Sequence, residues 1–328
     1  MKSRKLPIWV IVVSVAVSMF VLVVYIIMRV PQSEIEITGN IVDNNYNNYV
    51  SGGKMCRIGD KIYLNYEKND FNYGCAEISN EGVQRLYWEF HIESGFFREN
   101  IYAYDNRLYR SKDSLEYFDF STGEFIKTRI TEGYLSNYCI KEDAIFFLKL
   151  DDDEDNNLMR KNAETEMILI KNVDDYYVIG NEILYYSEDR INVFNVITGE
   201  NKYLFKSDIK VDNLMCENGY VLFRSFSEGW LNQEGSINIC KYKLDGSEEI
   251  QVIYKGDVYG FNVYNNKVYI SSESGVTVYD LFSNEEQILY TGEALDSYIF
   301  DDMWVYIRIS KSKVIRVSND GEIVEKVI

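Results

Sequence analysis

The chain has 328 residues and is 46% hydrophobic, with 28 Tyr and 17 Phe against only two Pro. Aromatic side chains in that number favour strands, on whose pleated surface they pack, over helices. The formal net charge is −18, and residues 1–30 hold four basic groups and no acid, so the remainder carries −22. That excludes a nucleic-acid ligand, and it favours cations and basic partners over anionic headgroups.

From Ile8 to Met28 no residue is charged, and only Ser14, Ser18 and Tyr25 interrupt the apolar run. At about 1.5 Å per residue that length matches a hydrocarbon layer of roughly 30 Å. A cleaved leader would have a shorter apolar core of about 7–15 residues and a small-residue cleavage site. Residues 7–28 are therefore expected to form an uncleaved transmembrane signal-anchor helix. Lys2, Arg4 and Lys5 precede it and only Arg29 follows closely, so residues 1–6 should stay cytoplasmic. The expected location is the cell membrane, single-pass, with everything after the span extracytoplasmic.

Residues 29–52 are rich in Asn and include Gly39-Asn40, which reads as a tether with room for one strand from Glu34 to Thr38. Residues 53–328 then repeat. An aromatic preceded by an aliphatic, after a turn of Asp, Asn, Gly or Glu, recurs at Tyr63, Tyr109, Phe146, Tyr185, Phe223, Tyr269 and Tyr306. The spacings are 46, 37, 39, 38, 46 and 37 residues, the period of propeller blades built from several short strands.

A second landmark follows in each repeat: Glu81-Gly82, Thr122-Gly123, Glu164-Thr165, Thr198-Gly199, Asp245-Gly246, Asn284-Glu285 and Asp320-Gly321. Each reads as the hairpin between the third and fourth strands of a blade. The expected fold is therefore all-β, a seven-bladed β-propeller, with six blades plus an irregular unit as the alternative.

The length variation lies between strands two and three, around Asn69 to Gly74, Asp151 to Asn157 and Ser225 to Gly235. In a propeller all such loops leave one face. Insertions gathered there mark a binding surface, although drift in loop length costs little. Candidate contacts are the loop aromatics Phe71, Tyr73, Phe226 and Trp230, suited to a protein, peptide or glycan ligand. The acids Asp151, Asp153 and Asp155 are a weak calcium candidate. Asn156 stands where a calcium loop needs Gly, and Asn162 where it needs the bidentate Glu.

The unit NNKVYIS at residues 265–271, with GDKIYLNY at 59–66 and DNRLYRS at 105–111, resembles the strand-two signature of low-density-lipoprotein-receptor-type propellers. The run from Thr38-Gly39-Asn40 through Gly52-Gly53 to Gly59-Asp60-Lys61-Ile62-Tyr63 is similar to the opening of a bacterial family of membrane-tethered propellers of unknown function. The likeness covers residues 38–328 and implies a tethered propeller. Where the receptor repeats carry Trp and then Thr-Asp after the Tyr, this chain has Leu64-Asn65-Tyr66 or Ile270-Ser271-Ser272.

Cys56, Cys139 and Cys216 each stand seven residues before their anchor, on strand one, and Cys75 and Cys240 fall on strand three. Bonding strand one to strand three would bridge a gap of about 9.5 Å, against the roughly 7 Å a disulfide allows. Free thiols are expected. The single His91 has no metal-ligand or nucleophile motif around it, and no cofactor is expected. The chain therefore reads as a non-enzymatic, extracytoplasmic sensor or scaffold, with an envelope-associated hydrolase or lyase using carboxylates at the channel mouth as the alternative.

Overall fold

A computed structural model describes residues 46–69, 72–79, 82–91, 100–111, 115–120, 124–126, 135–141, 144–150, 156–207, 210–226 and 237–327. The apolar segment from Ile8 to Met28 and the strand expected from Glu34 to Thr38 lie outside them. Among the described residues no helix is long and apolar enough to cross a membrane.

Among the described residues twenty-eight strands form seven four-stranded antiparallel sheets, each a meander of consecutive strands. The blades occupy residues 55–91, 101–126, 135–170, 175–206, 211–256, 258–291 and 296–326. All seven sequence anchors sit on the second strand of their blade, and all are buried. The reason is the two-residue alternation: in Lys267–Ser272 the aliphatic and aromatic neighbours point to opposite faces, and both faces are covered by adjoining blades.

Local turn chemistry sets the register. Asp105-Asn106 and Asn265-Asn266, between strands one and two, all have positive φ (45, 59, 48 and 65°), the mirror-type hairpin that Asn and Asp tolerate. Between strands three and four, Asn195 Oδ1 accepts the N–H groups of Ile197 and Thr198, and Asp280 Oδ1 accepts those of Phe282 and Ser283. Blades four and six thus close with the same turn.

Four hydrophobic clusters run through every blade interface. The seam between blades seven and one is made by Met55, Ile62 and Leu64 against Tyr298, Phe300 and Val314. Arg57 adds an ion pair to Asp301 at 3.1 Å and lies over the Phe300 ring. Blade seven supplies all four strands of its own sheet among the described residues, and the ring closes by side-chain packing. This removes the six-blade alternative.

The outer strands are blunted in a repeated way. In blades three to six the pairing of strands three and four shifts by one residue at the same place, and Ile168, Tyr203, Val252 and Ile288 stand exposed just beyond it. A bulge there twists the free edge away from pairing with another sheet.

Candidate functional site

The ring axis is filled. Residues Tyr46–Val50, which the sequence assigns to the tether, form one helical turn inside the channel. Asn48 makes the central contacts: its side chain donates to Ile299 O at 2.8 Å, and its Oδ1 accepts Ile299 N–H at 3.0 Å and the Asn262 amide at 2.6 Å. Asn47 donates to Val263 O and accepts the Tyr177 hydroxyl. Tyr49 packs on Tyr102 and Tyr138 and accepts the Tyr138 N–H. Ser51 donates to Ser297 O, and Gly53 O accepts the N–H of Ile101. Gly52 and Gly53, at φ +147 and +61°, turn the chain out of the channel into blade one, a backbone that a side chain would strain.

The carboxylates near the channel are tied to neighbours. Asp212 and Asp296 each pair with an Arg on the adjoining strand two, Arg224 and Arg308. Asp175 laces three blades, accepting from Asn137 Nδ2 of blade three, from its neighbour's N–H at Tyr176, and from the Leu214 N–H of blade five. Burial pushes its carboxyl up to about 7, against the pull of the Leu214 and Tyr176 N–H groups. A raised carboxyl pKa means that the folded state holds a proton the unfolded chain has lost. The contribution of this carboxyl to stability is then greatest below about pH 4 and falls as the pH rises to about 7. In a urea-melt series over that range, Asp175→Asn should flatten this slope. An unchanged slope would place the titration elsewhere.

Sequence spacing and structural register agree for two of the three strand-one cysteines. Cys56 pairs with Tyr63 and Cys139 with Phe146. Cys216 instead pairs with Val221, because it stands one residue before the hairpin pair Glu217–Tyr220, whereas Cys56 and Cys139 stand two before theirs. All five cysteines are free thiols. Burial raises Cys56 well above the usual range and Cys216 to about 11, so neither is a thiolate nucleophile near neutral pH.

Of the residues expected on the long loops, Phe71, Asp151, Asp153, Asp155 and Trp230 lie outside the described residues. Tyr73 belongs to strand three of blade one, its backbone opposite Glu67. The first insertion is thus largely extra ladder. Phe226 ends strand two of blade five, paired with Ile237 and buried, with the Arg224 guanidinium 5.1 Å above its ring. This is a correction: the apolar run through Phe226 continues the strand, so the ring packs inward and is no loop tip.

Sequence reasoning missed a cleft of about 470 Å³ between blades four and five, floored by Val193, Leu204 and Leu244 and edged by Glu182, Lys202 and Asp245. No periodic signal marks it, since its wall combines strand residues of blade four with hairpins of blade five. Both charge signs surround an apolar floor, which suits a small amphiphile, and the lining holds no Ser, Thr, Cys or His. Among the described residues no group of three His, Cys, Asp or Glu side chains is placed to hold a metal ion.

No family model and no curated protein matches the chain. Solved structures do. The extracellular domain of a protein described as a one-component system from B. thetaiotaomicron aligns over 80% of this chain and 37% of its own, at TM-score 0.57 and 10% identity. A puromycin-hydrolyzing peptidase of Mycobacterium tuberculosis aligns over 88% of this chain and 55% of its own, at 0.54 and 10%. AztD from Citrobacter koseri aligns over 84% and 85%, at 0.51 and 10%. At such identities the likeness is one of fold, shared by enzymes and non-enzymes alike.

Proposed function

We propose that the chain is a membrane-tethered, extracytoplasmic propeller that binds a protein, peptide or glycan on the face carrying the connections between strands two and three. The observation that supports it most is the occupied axis. With Asn47, Asn48 and Tyr49 filling the channel and Asp212 and Asp296 held by arginines, a hydrolytic centre at the channel mouth has few free groups to draw on. Exposed Leu150, the last residue of its strand, and Tyr259, whose carbonyl accepts from Arg224, lie on that face, where a ligand would cover them.

The test is to replace residues 227–236 by an Asn-Gly turn in the detergent-solubilised full chain, then compare its bound partners with those of the parent, with and without calcium. The binding reading expects at least a tenfold loss of a partner the parent retains. A glycosidase or lyase turnover that survives the shortened loop would favour the hydrolase alternative instead.

A further inference from the structure

We propose that the opposite face, built from the hairpins joining strands one to two and three to four, is the side of the disc that lies against the membrane, with Ile197, Phe282, Met303 and Ile323 resting among the headgroups. This rests on the tethered reading above. It adds which way the disc points and what its second face touches.

The first argument is the direction of the axial turn. In every blade strand one runs from the long-loop face towards the hairpin with strand two. Asn47 bonds Val263, next but one to the Asn265-Asn266 hairpin, and Asn48 bonds Ile299, the last residue of its strand. Ser51 bonds Ser297, near the start of that same strand, and Gly53 bonds Ile101, the first residue of its own. The segment therefore climbs the channel against the strands. Its N-terminal end opens towards the hairpin face, the side on which the proposal puts the tether.

The second argument is independent of the first and concerns surface chemistry. Ile197 is 73% exposed, Phe282 66%, Met303 66% and Ile323 49%, and all four sit in connections on the hairpin face. Ile197 and Phe282 occupy the same position of the same side-chain-capped turn in blades four and six, so their outward aim is built in. Large apolar tips projecting from turns are costly in water and find a place at an interface that is apolar on one side and wet on the other. Acids share this face, among them Asp60, Glu200, Asp245, Glu285, Asp302 and Asp320, and they repel anionic headgroups, so the apolar tips suit a zwitterionic surface. The 17 residues between Met28 and Tyr46 can extend on the order of 60 Å, so the tether permits this contact without enforcing it.

The full chain would be reconstituted into phosphatidylcholine and phosphatidylethanolamine vesicles containing a headgroup-nitroxide lipid. Fluorophores would be attached at Glu322→Cys on the hairpin face or Ser312→Cys on the long-loop face of blade seven, with the unsubstituted protein as the blank for the native thiols. Quenching at position 322 is expected to exceed that at 312 at least threefold. The quadruple Asp variant of the four apolar tips should bring the two positions level while the protein still floats with the vesicles. Equal quenching in the parent, or stronger quenching at 312, would overturn the orientation alone. Failure to float with vesicles after an alkaline wash would overturn the tether, and the orientation with it.

Discussion

Tyr49→Ala is expected to destabilise the folded ring by about 5 kcal/mol, although Tyr49 belongs to no blade. Its side chain is 4% exposed, its ring centroid 5.5 Å from that of Tyr102 and 4.8 Å from that of Tyr138. Truncating a buried aromatic costs roughly 3–5 kcal/mol when the site cannot collapse. Inner strands held by their own ladders cannot close on the axis. The Tyr138 N–H, at present 3.0 Å from the Tyr49 hydroxyl, would also be left without an acceptor, adding about 1–3 kcal/mol. Tyr49→Phe isolates that second effect and should cost about 1–2 kcal/mol. Urea unfolding of the solubilised full chain, followed by near-ultraviolet circular dichroism, measures both. A loss below about 1 kcal/mol for the Ala variant would mean that the axial turn does not hold the ring together.

The contrast between blades and axis shows what the sequence could disclose. Strand-two anchors are visible because each blade needs an aliphatic and an aromatic on opposite faces, as in Val268-Tyr269 and Ile62-Tyr63, and because the turns need residues that tolerate positive φ. The axial turn has no such signature. Tyr46–Val50 carries no acid in its first turn and no base in its last, and five residues are too few for an apolar stripe. Its order comes from Val263, Ile299 and Tyr138, which lie far along the chain, so an Asn-rich stretch reads as tether when taken alone. Cys216 and Phe226 fail for related reasons. The hairpin lies one residue nearer to Cys216 than to Cys56 or Cys139 in the first case, so equal spacing from the anchor is not equal register, and a ladder that runs on past the expected turn moves the side chain inward in the second. The long-loop face was legible only as variation in length, because loops obey no period.

Gly275→Ala should cost roughly 4 kcal/mol, while Gly199→Ala, at another positive-φ glycine, should cost about 1 kcal/mol. At Gly275, φ is +144° and an added Cβ would lie 1.9 Å from Tyr290 O, a backbone atom of the adjoining strand. At Gly199, φ is +71° and nothing lies within 4 Å, so only conformational strain is added. Relief at Gly275 would require strand four of blade six to move, breaking the pairing of Gly275 with Thr291 and of Val276 with Tyr290. The damage should stay local at first, because each blade touches only its neighbours and a ring of such units loses protection from the strained one outwards. Hydrogen exchange should therefore show residues 258–291 opening earlier in the Gly275→Ala protein, with blades two and three still protected. Uniform loss of protection would instead indicate that closure by the axial turn couples all seven blades into one cooperative unit. The pair of glycines thus measures how far the filled axis overrides the nearest-neighbour character of the blades.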